Sequence, residues 1–374
     1  MTDNAVRSFF GVWHMDYEPL GRLNMKRLEA VQRHEIPDQV PFIFYEDGWA
    51  PCQRFGVSVE KYMKDPKTML EVQLRNSREG LFWGGGLFVD LGILIPPSAF
   101  GAPVRYDDKH MPWIEKPIVK EPRDLENLEV PDPDTCEPMQ KAIECYHYFK
   151  EHAPEDLRES VEFVPLLGPI DTSALLRGTS DFMSDLLLHP EFARKLIEIA
   201  TEAEIVWLKK INEIVGGLKV VKLGDDYAGY VSKKVWQEFA FPFEKRIYDT
   251  IPDTIRWFHT DGPRIQQEGV LESLAEMDVD VLYSLHPDVK LEGAKRRLQP
   301  LNIALAFGIP PVDILLRGPV NKIDEWCKQC IHVAAPGGNY VLGPSGGDSP
   351  GTPVEHFAAV ISAAEKYGKY PIKI

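Results

Sequence analysis

Cysteine, long apolar runs and positive charge are all scarce in this sequence, and each scarcity excludes something. Five cysteines (Cys52, Cys136, Cys145, Cys327, Cys330) are scattered over 374 residues. That is no disulfide framework, so a reduced, cytoplasmic protein is expected. No stretch approaches the roughly 18 consecutive apolar residues that a membrane span needs. The start, MTDNAVRSFFGVWHMDYEPL, lacks the basic-then-apolar pattern of a secretory signal, so no leader is expected. Lys and Arg number 42 against 57 Asp and Glu, a net charge of −15. Nucleic acid and anionic membranes attract clustered cations, so neither is an expected partner. No G-x-G-x-x-G or G-x-x-x-x-G-K-[ST] follows an apolar run, so no nucleotide site is signalled.

What is present is ordinary globular material, 44% hydrophobic and 26% charged. Short apolar runs alternate with helix-period segments. The strand candidates are VPFIFY (40–45), VEFVPLL (161–167), LKVVKL (218–223), TIRWF (254–258), VDVLYSL (279–285), NIALAF (302–307) and NYVL (339–342). Strand–helix alternation means a parallel sheet covered by helices. Seven or eight such units favour an α/β fold of the (β/α)₈ TIM-barrel type over an open sheet. Residues 1–35 read as an N-terminal helical arm. Residues 36–374 read as a single barrel with an irregular, proline-rich insertion near 84–133. The Cys327-x-x-Cys330 pair lies on an amphipathic helix pattern and reads as packing rather than redox chemistry.

Barrel chemistry sits at the C-terminal ends of strands. Those ends carry Glu46 and Asp47, then Gly168 and Asp171, then Asp225 and Asp226, then His259 and Asp261, then His286 and Asp288, and last Asp348. Helix capping accounts for Asp171 or Asp288 singly. It accounts less well for Asp225 beside Asp226, or for His259. Such a ring of carboxylates and imidazoles suits a hard-ligand metal such as zinc, with Glu238 on the following helix also within reach, or metal-free acid–base work. His286 reads as a ligand, a substrate hydrogen bond or a structural histidine. Tyr45, Trp49 and Trp83, from the aromatic-rich FIFYEDGW and LFWGGGLF, are candidates to stack a planar substrate, with Glu46 beside them.

RLEAVQRHEIPDQVPF, LGPIDTSALLRGTSDFMSDLLLHPEF, LGDDYAGYVSKKVWQEFAFPF, HTDG and PGGNYVLGPSGGDSPGTPVEHFAA occur in an order that resembles the uroporphyrinogen decarboxylase superfamily, from about Arg22 onward. The resemblance implies a distorted (β/α)₈ barrel with its site at the C-terminal mouth. The arginine-rich signature of the true decarboxylases is missing: YEDGWAPCQRFG stands there, with Arg54 alone. A substrate with many carboxylates needs several cations, so decarboxylation is disfavoured. The chain is more similar to the corrinoid-dependent methyltransferase branch, and within it to the substrate-side enzymes of anaerobic O-demethylation. Asp261 stands where thiol-specific members have a first zinc-binding cysteine, and their later cysteine falls on Gly347, beside Asp348.

The resemblance implies zinc held by Glu238 and His259, with Asp261, Asp348 or the Asp225–Asp226 pair supplying further ligands. It implies methyl transfer from a methyl ether, chiefly a methoxylated aromatic, to the cobalt(I) of a corrinoid carried by a partner protein. His259, Asp261, Asp225 and Asp226 are the expected catalytic groups. The leaving oxygen needs Lewis-acid or general-acid help, because a phenolate released into an apolar pocket is costly. A homodimer is compatible with this reading. A cofactor-free tetrapyrrole decarboxylase and a non-catalytic corrinoid- or tetrapyrrole-binding protein are the alternatives.

Overall fold

The structure is a computed structural model that describes residues 17–45, 48–78, 86–91 and 94–373. A hairpin pairs β1 (Val104–Arg105) with β2 (Trp113–Ile114) inside the expected insertion. Among the described residues, six strands then form one parallel sheet whose order follows the sequence. They are β3 (Phe163–Leu167), β4 (Val220–Gly224), β5 (Ile255–His259), β6 (Val281–Tyr283), β7 (Ala304–Ala306) and β8 (Tyr340–Val341). Helices lie between successive strands, as parallel connections require. Every one of these strands falls on a run expected from the sequence.

The expected strand at 40–45 forms no ladder. It makes one isolated parallel bridge, from Phe42 to Leu342, the residue after β8. A side chain does the rest. Asn24, fully buried on helix α1 (Tyr17–Gln32), donates to the Phe42 carbonyl at 2.8 Å and accepts its N–H at 2.9 Å. Gln73 treats Phe88 in the same way, at 2.8 and 3.1 Å, in the extended stretch 86–91. Phe88 in turn meets Phe163 at the start of β3 edge to face, 5.8 Å between rings. Two buried amides thus satisfy backbone groups that neighbouring strands would otherwise pair.

Alternation along the strands divides the core in two. In β4, Val221 and Leu223 are buried under the outer helices, while Val220, Lys222 and Gly224 take the opposite face. The inner core gathers Ile43, Tyr45, Trp257, Val281, Tyr283, Ala304, Ala306 and Val341, joined by Leu28 and Val31 of α1. That helix closes the N-terminal end of the barrel, beside a cavity of about 390 Å³ lined by Met25, Leu28, Phe163, Ile255 and Trp257 among others. Cys327 and Cys330 are buried on the helix Val320–Ala334, and burial pushes the Cys330 thiol up to about 12. Thiols held so far from ionisation are packing residues. Among the described residues no helix is long and apolar enough to cross a membrane.

Candidate active site at the C-terminal mouth

Three adjoining loops build the site, beginning with the turn from β3 into α2 (Pro169–Arg177). A helix start leaves N–H groups without partners. Here the Asp225 carboxylate, from the loop after β4, accepts from Ile170 N and Asp171 N, each at 3.0 Å. Asp171 returns the favour, accepting from Asp226 N at 2.9 Å and Tyr227 N at 2.8 Å. Gly168 makes room for this exchange, because a Cβ there would collide with the Asp225 side chain. Burial, then the nearby Glu244 charge, raises the Asp225 pKa well above the usual carboxylate range. Burial, followed by Asp225 and Asp226, does the same to Asp171.

Asp225 is therefore not at the chemistry: it is fully buried and spent on capping α2. The expectation of a catalytic Asp225 is corrected on that ground. Asp171 does cap, as its residue type suggests, but it caps the neighbouring loop rather than its own helix.

Asp226 points the other way, into the mouth. Its Oδ1 lies 3.0 Å from His259 Nε2 and accepts the Asp261 N–H at 3.2 Å. Asp261 Oδ1 lies 3.6 Å from the same Nε2. The ring's other nitrogen, Nδ1, faces the Tyr283 carbonyl at 3.3 Å, which turns Nε2 toward the two carboxylates. Burial opposes a charge on His259, but Asp226 and then Asp261 outweigh it and raise the imidazole pKa. Burial likewise opposes the Asp226 charge and His259 outweighs it, so Asp226 is lowered. Asp261 is raised by burial, against the pull of His259.

One ligand atom from each of Asp226, His259 and Asp261 can be chosen so that all lie within 4.8 Å of one another. Among the described residues no other trio of His, Cys, Asp or Glu comes together in this way. Zinc–ligand bonds of about 2.0–2.2 Å put tetrahedral ligand atoms roughly 3.3 Å apart. The two separations from His259 Nε2, 3.0 and 3.6 Å, bracket that spacing. Three protein ligands would leave a fourth position open, the pattern of catalytic rather than structural zinc. The Tyr283 carbonyl is the outer contact that orients a histidine ligand.

Glu238 is not part of this group. It sits in a π-helical turn, Trp236–Ala240, that buries Trp236 and Phe239 and leaves Glu238 outside, paired with Arg194 at 2.9 Å. The expected metal ligand is thus an exposed ion pair on the outer helices. Glu238→Gln is expected to leave metal content and turnover within about 2-fold of the parent, since exposed pairs contribute little. A tenfold loss in either would return Glu238 to the site.

The other candidates lie in several places. Asp348 is buried beside Tyr45 rather than in the trio, and its N–H donates to the Tyr45 carbonyl at 3.4 Å. Tyr45 is inner core: its hydroxyl donates to the Ala306 carbonyl at 2.6 Å and its ring is 5.1 Å from Tyr283. It presents no stacking surface. Trp49 donates to the Lys109 carbonyl and packs beside His110, fastening the insertion. His286 is half-buried at the rim, accepting the Asp288 N–H at 3.2 Å, and close enough for its charge to act on Asp261. Glu46 and Trp83 lie outside the described residues.

Sequence reasoning passed over Lys222 and Tyr283. Lys222 rises through the barrel interior to lie 4.8 Å over the Tyr283 ring, which also neighbours His259 at 5.1 Å. A lysine at an inward-facing position of an apolar strand was the available signal.

Fold and site together define an α/β barrel with a titratable trio where barrel enzymes do their chemistry. The sequence pattern of the Uroporphyrinogen decarboxylase (URO-D) family matches residues 23–367, and the chain belongs to that family. It is 32% identical over 175 residues to a uroporphyrinogen decarboxylase of Parasynechococcus marenigrum, covering 46% of this chain and 47% of that protein. The chain thus matches this cyanobacterial relative over about half its length, and one from Synechococcus over 48%. A uroporphyrinogen decarboxylase of Anaeromyxobacter dehalogenans is 23% identical over 91% of this chain and 99% of its own. Among solved structures, a methyltransferase from Methanosarcina mazei shares the fold, with TM-score 0.77 and 20% identity, over 92% of this chain and 98% of that one.

Proposed function

We propose that this protein is a methyltransferase that moves a methyl group from a methyl ether, chiefly a methoxylated aromatic, to the cobalt(I) of a corrinoid on a partner protein. The Asp226–His259–Asp261 trio carries the reading. The fold shared with the Methanosarcina mazei methyltransferase supports it. In the transfer the O–CH₃ bond breaks, its electron pair stays on oxygen, and the methyl carbon bonds to cobalt. The problem is then the oxygen, which leaves with a negative charge. A zinc ion on the trio would supply Lewis acidity at that oxygen. Asp226, His259 and Asp261 would be its ligands, with the Tyr283 carbonyl fixing the ring. With no ion bound, the same imidazole holds a proton at Nε2 against two carboxylates, placed for donation to the oxygen.

The decarboxylase names of the sequence relatives suggest a second reading, but the arginines that could serve it are occupied. Arg54 donates to Asn76 at 2.6 Å and lies over Phe357. Arg177 donates to Asp185 at 2.8 Å. A polycarboxylate substrate needs several such cations at the mouth.

The test is anaerobic mixing of the protein with a cobalt(I) corrinoid and a panel of methoxylated aromatics. Donor-dependent appearance of the methyl-cobalt absorbance is expected. Its absence with every methyl ether, amine and alcohol tried, from folded protein, would discard methyl transfer.

A further inference from the structure

The loops after β4 and β5 meet backbone to backbone. Gly229 sits flush on Gly262: a Cβ on Gly229 would lie 2.7 Å from Gly262 Cα and N, and one on Gly262 would fall inside the Gly229 carbonyl group. Real Cβ atoms do not come within 3.0 Å of other atoms in this way. Gly262 has φ −86°, open to any residue, so the requirement here is for space and not for an unusual backbone angle.

Between the two glycines lies Thr260, fully buried. Its Oγ1 donates to the Asp226 carbonyl at 3.2 Å and accepts the Gly262 N–H at 3.4 Å. The Gly229 N–H donates to that same carbonyl at 3.1 Å. Asp261 N is tied to Asp226 Oδ1, and Asp226 N to Asp171. Each carboxylate of the trio is therefore hung on a loop fixed to the other by main-chain contact.

We infer that Gly229, Thr260 and Gly262 are positioning residues, which hold Asp226, His259 and Asp261 at ligand spacing before any ion arrives. The inference rests on the metal reading of the trio. Two mutually attracted loops that closed only around an ion would not need glycine on both sides of their contact. Here the contact excludes even a methyl group, so loop spacing is set by the backbone itself. A side chain at either position must part the loops by an ångström or more, and the ligand spacing opens with them. Sites held this way lose affinity steeply when the supporting contacts are altered, typically 10–100-fold.

The experiment is zinc and cobalt(II) binding to the full chain by competition with a chelating dye, alongside hydrogen exchange of segments 225–231 and 259–263 in metal-free protein. In the parent, both segments should exchange slowly without metal, and zinc should change them little. Thr260→Val keeps the side-chain shape and removes the cross-loop hydroxyl; its zinc affinity should fall about 10-fold in protein that remains folded by circular dichroism. Gly262→Ala should fall about 100-fold, with fast exchange in both segments. Parent-like affinity in both variants, or fast exchange in the metal-free parent, overturns the inference. If the parent binds neither ion, the metal reading fails. The exchange data then decide alone: slow in the parent and fast in Gly262→Ala upholds the positioning role, and any other pattern removes it.

Discussion

His259→Ala is expected to lower the rate of methyl-cobalt formation by ~10³-fold or more, with the fold intact. The imidazole is the hub of the trio, 3.0 and 3.6 Å from the two carboxylates. Removing it deletes a ligand or the proton donor, according to which assists the leaving oxygen, and either contribution is worth several kcal/mol. It also leaves Asp226 and Asp261 facing each other without a compensating charge. Carboxylates so placed cannot both ionise comfortably, so the remaining pair is a poor ligand set. Stopped-flow absorbance with a saturating donor measures the rate, and thermal unfolding checks the fold. A loss below tenfold would move the chemistry off the trio.

Glu244→Gln is expected to stabilise the protein at alkaline pH. Glu244 lies on the helix Phe241–Tyr248 and is fully buried, with the Asp225 carboxyl as a neighbour. Burial pushes its pKa from the ordinary 4.5 up to about 8. The folded state therefore holds a proton that the unfolded chain releases at 4.5. This contribution to stability is complete below pH 4.5 and is lost progressively as pH rises to about 8. At roughly 1.4 kcal/mol per pH unit of displacement, the loss amounts to a few kcal/mol. Glutamine resembles the protonated form and does not titrate. Urea unfolding between pH 6 and 9 should show a shallower decline for the variant, and about 2–4 kcal/mol of extra stability above pH 8. Parallel profiles would mean that the buried carboxyl has access to water or to a cation.

Both predictions depend on directions in which side chains point, and there the sequence was uneven as a guide. Apolar runs located β3 to β8, and the rule that barrels react at strand ends led to His259 and Asp261. The two adjacent aspartates could not be separated in that way. Neighbours in a loop face opposite ways, and nothing in DD says that Asp225 caps α2 while Asp226 meets His259. Glu238 failed for a related reason. A π turn shifts helical phase, and a sequence at ordinary helical spacing does not announce one. Tyr45 and Trp49 lay in an aromatic run consistent with stacking, but packing claimed both. The segments 40–45 and 86–91 illustrate the converse. Their partners, Asn24 and Gln73, are single amides on helices, and no pattern within the strands themselves points to them.

The Phe42–Leu342 bridge sets an order on synthesis. Its two sides are about 300 residues apart. A ribosome working at roughly 5–20 residues per second needs ~15–60 seconds to deliver the second after the first. Through that interval Phe42, Tyr45 and the apolar face of α1 have been made, but the strand that covers them has not. Asn24 can occupy the Phe42 backbone from within the first fifty residues, before any later strand exists. A local amide so placed would keep an early extended segment from pairing with other nascent chains. Asn24→Ala should accordingly cost more in yield from cells than its effect on the purified protein would suggest.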